Sequence, residues 1–442
     1  MKKHLNQLLL TKDISLAKEL LKNQPYDIAK EMKNISHEDQ VNLIEYLPVE
    51  KGAKVFSYLT PEEQYRIFVN LSAEKAKLIL TDQSIDDLVD IVLAIHPHQA
   101  EKLMKILSED CQQKIRDLMI FPPETAGSLM TSDYIAARES WLVKDTLLHI
   151  RKIGAGVESI SYIYALDSFG RLNGIVSIRE LLLAEDDKAL STIMTPDVIS
   201  VHVELDQQEA VQQLTNYNLS AIPVTTMDDR MIGIITFDDA MDVFEEEATE
   251  DIHKLGGSAP LDKPYLETSI WHIYRKRIGW LLLLFIAEAY TGTVLRHYEE
   301  TLEHVIALAF FVPLLIGTGG NTGTQVVTTL VRSLALKELK FTDLFRVMQK
   351  EVLAGTLLGL TLGIAALIRA YTLGVGTEIA QVVAITGICI VIWSSIVASV
   401  LPLILNKLKL DPAVVSGPFI TTLVDGTGLI LYFTIANMLL DI

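Results

Sequence analysis

Five apolar runs, near residues 278–295, 304–331, 352–374, 379–405 and 414–440, constrain this chain more than any other feature. Each is long enough to cross about 30 Å of hydrocarbon as a helix. Lipid offers backbone groups no hydrogen-bond partner, so five such runs demand a bundle of helices. The rest of the chain is of another kind. Of 38 Lys/Arg and 56 Asp/Glu, eleven of each lie beyond residue 275, so the whole formal charge of −18 falls on residues 1–275. An acidic, polar half therefore precedes a neutral, apolar one. That acidity argues against nucleic acid and anionic surfaces as partners and favours cations. Cys111 and Cys389 are too few for a disulfide framework or a zinc site. No basic-plus-apolar start marks a signal peptide, so the acidic half is expected to stay in the cytoplasm. Arg275–Arg277, the basic loop from Arg332 to Lys350, and Lys407 with Lys409 then predict a cytoplasmic N-terminus and a C-terminus outside.

Residues 1–128 carry a short helical repeat. Breaks at Ser36, Pro48, Thr60, Ser72, Ser84, Pro97 and Ser108 are 11 to 13 residues apart. Thr60-Pro61-Glu62-Glu63 combines an N-cap, a first-position proline and a capping-box glutamate. Helices this short need neighbours, so they predict a stacked α-superhelix. From 129 the pattern changes and occurs twice: Met130-Thr131-Ser132-Asp133 recurs as Met194-Thr195-Pro196-Asp197. Strands are predicted at 160–166 and 174–178, then at 221–225 and 233–237, each pair joined by a turn. The two units resemble a pair of CBS domains, a regulatory module that binds adenine nucleotides or metal. That family's ribose-holding Thr/Ser-x-x-Asp matches Thr236 to Asp239, whereas the first copy has Ser177 to Glu180, one methylene away. The resemblance thus implies an ATP site at Thr236 and Asp239 and leaves it open.

Asp238 to Asp251 holds eight acids and no base. On a helix, Asp239, Asp242 and Glu246 share one stripe, and Glu247, Glu250 and Asp251 another. Like charges at this spacing destabilise an isolated helix by about 0.2–0.5 kcal/mol per pair. Divalent cations bridging to another surface would remove that cost, and carboxylates are hard oxygen ligands suited to Mg²⁺ or Ca²⁺. A solvated linker helix is the competing account. In the apolar half, Gly317 to Gln325 breaks the hydrophobic pattern with glycines, Asn321 and hydroxyls, either to line a cavity with neutral oxygens or to pack helices closely. Asp425, with Gly426 and Gly428 beside it, stands 11 residues past Val414, about 16 Å along the fifth run and near mid-bilayer. An ionised group there is a functional candidate. Glu288 is the other deep acid, and Asp411 precedes the fifth run where an inner gate would hold a cation. One carboxylate cannot enclose a metal. Two chains about an axis would bring two Asp425 together, a sparse site that suits hydrated Mg²⁺.

Pro313-x3-Gly317-x2-Gly320-Asn321-x-Gly323-x-Gln325, Asp411-Pro412-x3-Ser416-Gly417-Pro418 and Asp425-x2-Gly428 resemble the MgtE family of magnesium channels, and the likeness extends over essentially the whole chain. It implies a homodimer with a pore between second and fifth spans. Asp425 would hold a hydrated ion, with Asn321, Gly317, Gly320, Gly428 and Asp411 along the path. It also implies closure by cytosolic Mg²⁺ at Asp239, Asp242, Glu247, Glu250 and Asp251; Glu246, on the stripe with Asp239 and Asp242, and Asp87 in the N-domain join them as candidates from the residues alone, not from a family match. The expected architecture is a multidomain membrane protein. It comprises an α-helical superhelix N-domain (1–128), an α/β CBS-domain pair (129–190 and 191–244), a connecting or plug helix (245–275) and a five-helix transmembrane domain (276–442). A CBS-regulated transporter of another divalent cation, such as cobalt, is the rival. An anion path sits poorly with Asp425 and the acidic loop at Glu299, Glu300 and Glu303. No nucleophile stands beside a base, so no enzyme is expected.

Overall fold

The computed structural model describes residues 22–154, 157 and 159–441, which form two compact units dividing at Glu245. The start of the predicted superhelix, residues 1–21, lies outside the described residues.

In the first unit, eight helices of eight to ten residues run from Pro25–Met32 to Glu109–Leu118. Their starts fall on the expected breaks. Ser36, Ser72, Ser84 and Ser108 each accept a hydrogen bond from the backbone N–H three residues on, and Thr60 closes a full capping box with Glu63. At the Pro97 break the cap itself is His96, with the proline in the first turn. Ile44, Phe56, Ile79, Leu80 and Leu88 are at most 1% exposed and form one core with Ile222, Val224 and Ala240 of the second repeat. The superhelix therefore rests on the second copy.

Each copy holds a three-stranded sheet with one parallel and one antiparallel pairing: β1 (Ala136–Arg138), β2 (Tyr162–Leu166) and β3 (Leu172–Ser177), then β4 (Val201–His202), β5 (Ala221–Thr225) and β6 (Met231–Thr236). The hairpins match the expected strands within two residues, while the short leading strands β1 and β4 carry too few residues to show a period. The repeated Met-Thr motif has a reciprocal role. Thr131 exchanges two backbone hydrogen bonds with Ile234 of β6, and Thr195 does the same with Ile175 of β3. Met130 and Met194 lie across Gly233 and Gly174, where a Cβ would come within 2.6 and 2.5 Å of the thioether sulfurs. Each copy is thus closed by the motif that opens the other.

Phe237–Leu255 is one continuous helix running out of β6, so the whole acidic run is helical. It ends at Gly256 and Gly257 rather than continuing toward residue 275. Gly257 has φ +72°, and a Cβ there would meet the Trp280 ring at 2.8 Å, so only glycine fits.

In the second unit, five helical segments are long and apolar enough to cross a membrane: Ile270–His297, Ile306–Ala335, Phe341–Leu373, Thr377–Lys407 and Gly417–Leu440. They coincide with the five predicted runs. The third begins earlier than expected, with its α-helix starting at Leu344, and the fifth starts at Gly417 after a 3-10 turn at Pro412–Val414. Small residues bring these helices together. Gly355, Gly359 and Gly363, four apart on the third span, would each drive a Cβ into Ser395 or Ile388 of the fourth at 2.6 to 3.1 Å.

Candidate functional site

The glycine-rich stretch of the second span stays helical throughout, Val312–Ala335, so its carbonyls remain in the helix ladder instead of being laid bare. Its residues divide between two faces. Gly319, Gly320 and Gly323 pack: an added Cβ would meet Ile390, Thr421 and Ile420 at 2.6, 2.8 and 2.4 Å. Gly320 therefore serves close approach of the fifth span, and Gly428 lies in ordinary contact range of Ile390. The other face is polar and uncovered. Gly317, Asn321 and Gln325, four apart, are exposed, and nothing lies within 4 Å of a Cβ at Gly317. Such a stripe has no favourable environment in hydrocarbon, so it needs water, an ion or protein opposite.

Asp425 lies eight residues into the fifth span, about 12 Å from its start. The helix begins three residues later than the apolar run suggests, so Asp425 is the ninth of its 24 residues. The residue is 8% exposed, and its Oδ1 is buried without a hydrogen-bond partner. Gly426 beside it packs on Tyr290 and Thr291 of the first span, and the Thr291 hydroxyl is buried without a partner as well. Glu288 lies within electrostatic reach of Asp425. Where the first and fifth spans pack, a carboxylate oxygen and a hydroxyl are thus both buried and unsatisfied, with the exposed Glu288 near by. Glu299 and Glu303, on the short helix Glu299–His304 that follows the first span, line an open recess of about 740 Å³, whose charge Arg296 partly offsets.

A second acidic region lies in the first unit. Asp87 sits at the start of helix Ile85–Ala94, its N–H capped by Ser84. It lies within electrostatic reach of Asp238, Asp239 and Asp242 at the head of the connecting helix. Burial holds the Asp87 carboxyl above its ordinary range, and Asp238 and Asp242 push the same way. Burial first, then Asp238 and Asp87, raise Asp239 to about 6, against a hydrogen bond it accepts from the Thr236 hydroxyl. Asp242 is raised by burial and by Asp238 and Glu245. Asp238, absent from the sequence-derived candidates, is the shared neighbour of all three. Its signal was the run itself, but helical spacing alone could not say which face meets Asp87.

A third cluster lies in the second unit. Burial and Asp411 raise Asp251. Asp411, expected where an inner gate would hold a cation, accepts from the Lys254 ammonium through Oδ2 at 2.7 Å and from the Ala413 N–H through Oδ1 at 2.8 Å. Burial disfavours the Lys254 ammonium, but hydrogen bonds to Asp411 and Glu250 outweigh it and leave lysine's pKa above normal. Among the described residues no three His, Cys, Asp or Glu side chains converge closely enough to hold a metal ion.

Family models match the chain in order: the MgtE intracellular N domain at 23–124, CBS domains at 126–187 and 190–246, and the divalent cation transporter MgtE at 312–435. The magnesium transporter MgtE of Thermus thermophilus is 38% identical over 361 residues, 81% of this chain and 80% of that protein. This chain belongs to the MgtE family. The family's magnesium transporter from Enterococcus faecalis is 34% identical over 74% of this chain and 71% of its own length. A crystal structure of the cytosolic domain of the Mg²⁺ channel MgtE in complex with ATP matches 55% of this chain and all of that one, at 31% identity and a TM-score of 0.53. MgtE membership agrees with the helical N-domain, the CBS pair and the five apolar helices.

Proposed function

We propose that this MgtE-family chain carries Mg²⁺ across a membrane into the cytoplasm, as a homodimer, and is closed by Mg²⁺ on its cytosolic acids. Transport of Mg²⁺ is supported by family membership and by the named activity of relatives at 34 to 38% identity. The observation that carries the pathway is Asp425, a carboxylate inside an apolar helix with a buried oxygen that no protein group satisfies. Burying an unpaired charge costs several kcal/mol, so its retention points to a cation that completes it. The adjoining second span supplies neutral oxygens at Asn321 and Gln325 along its uncovered stripe, a lining suited to an ion that keeps its waters. Two such stripes across a two-fold axis would cover one another and enclose the path. Inward movement would follow the membrane potential, worth about 4.6 kcal/mol for a divalent ion at 100 mV.

Closure rests on the acidic clusters, Asp87 with Asp239 and Asp242 in the first unit, and Glu247, Glu250 and Asp251 farther along the same helix. Burial first, and neighbouring acids second, raise Asp87, Asp239 and Asp242, and divalent charge would offset both by pairing the carboxylates. Glu246 continues the first stripe. ATP at Thr236 and Asp239 is supported by the ATP-bound cytosolic domain of the relative, and Asp239 would then serve both ligands.

Asp425→Ala in proteoliposomes is expected to lower Mg²⁺ flux at least tenfold while dimers persist on size-exclusion chromatography. Undiminished flux would remove Asp425 from the pathway. Competition by Co²⁺ in the same assay separates a magnesium path from a general divalent one.

A further inference from the structure

Lys254 stands in the last turn of the connecting helix, its ammonium between two carboxylates. Glu250 Oε1 lies 2.5 Å away, one turn back on the same helix, and Asp411 Oδ2 lies 2.7 Å away, just ahead of the fifth span. All three side chains are about one-third exposed, so water and ions reach them. Asp411 is held in place because its other oxygen caps the turn at Ala413. Asp251, next to Glu250, is a third carboxylate within electrostatic reach of Asp411.

We propose that Lys254 is a tethered monovalent cation that bridges Glu250 and Asp411 when no metal is bound, and that a divalent cation must displace it to bridge those same carboxylates. The inference rests on reading Glu250 and Asp251 as divalent-binding acids. An ammonium offers three donors on a flexible four-carbon stem and no bond that commits it to place. It fills the gap between connecting helix and fifth span, keeping the helix end docked at low metal. A hydrated divalent ion asks for the same oxygen lone pairs, and two cations there repel, so the two states exclude one another. Lys254 would therefore set the Mg²⁺ level at which this cluster fills, by competition.

The test uses the full-length protein in proteoliposomes, as wild type, Lys254→Gln and Lys254→Arg. Proteolysis of the 256–260 segment is followed in EDTA and across a Mg²⁺ titration, alongside flux. In EDTA, Lys254→Gln is expected to be cleaved several-fold faster than wild type, with Lys254→Arg close to wild type. Mg²⁺ should then protect Lys254→Gln with a midpoint about three- to tenfold lower than wild type, since one competing charge is gone. Equal cleavage in EDTA, or a midpoint unchanged or raised, would overturn the proposal and leave Lys254 as an ordinary surface ion pair of small effect. A wild type whose protection and flux both ignore Mg²⁺ would instead sink the regulatory reading of Glu250 and Asp251. The EDTA comparison would still decide the bridge.

Discussion

A carboxylate withdrawn from water and set among other carboxylates keeps its proton to higher pH, and Asp239 does so, raised by burial and by Asp238 and Asp87 to about 6. Between the ordinary Asp value near 3.8 and about 6, the folded chain holds this proton while the unfolded chain has released it. Linkage then makes the folded state progressively less favoured as pH rises through that window, and the penalty is complete above about 6. On the proposed reading, a divalent cation would remove it by pairing the charge. Mg²⁺ should accordingly raise the melting temperature of the full-length protein by several degrees more at pH 7.5 than at pH 5. Asp239→Asn should raise the metal-free melting temperature at pH 7.5, leave it nearly unchanged at pH 4, and shrink the Mg²⁺ effect. Calorimetry at the three pH values reads all of this, and a metal-free melting temperature lowered by Asp239→Asn at pH 7.5 would contradict the assignment.

At the scale of elements, glycine decides how close the spans come. Gly323 lets the second span approach the fifth and fourth, since a Cβ there would lie 2.4 Å from Ile420 and 2.7 Å from the Ser394 hydroxyl. Gly317, six residues back and on the uncovered face, has open space. Gly323→Ala should destabilise the bundle by about 1–3 kcal/mol through overpacking, while Gly317→Ala should leave the thermal midpoint unchanged and act, if at all, on flux. Thermal aggregation in detergent compares the two, and equal midpoints would mean the packing face is wrongly placed. The composition Gly-Thr-Gly-Gly-Asn-Thr-Gly announced both roles without separating them. The i, i+4 glycines at 355, 359 and 363 were equally open to view, but small residues in an apolar run name no partner until the fourth span is seen against them.

For the whole molecule, the connecting helix is the element that leaves β6 and reaches Asp411, crossing the division between the two units at Glu245. Its first acids, Asp239 and Asp242, belong to the cluster with Asp87, and its last, Glu250 and Asp251, to the cluster with Asp411. On the proposed reading, metal at either cluster would bind acids of this one helix. Replacing Glu247, Glu250 and Asp251 together by Gln, Gln and Asn should leave Mg²⁺ flux high when internal Mg²⁺ is ample. A triple variant that still shuts off normally in a stopped-flow liposome assay would show these acids to be a solvated face.

Periodicity and capping determined the elements. Breaks 11 to 13 residues apart became capped helices, the doubled Met-Thr pattern became two small sheets, and five apolar runs became five helices, because local propensity and burial on one face are written in consecutive residues. Charge alone marked two further features: Asp425 as an acid within an apolar run, and Asp238 to Asp251 as like charges crowded at helical spacing. What only the tertiary structure decided were pairings between residues far apart in sequence. These include Met130 over Gly233 and Met194 over Gly174, Asp87 beside Asp238, and the Lys254 ammonium lodged against Asp411. A side chain's type states what it needs, but which distant group meets that need depends on where folding brings the backbone.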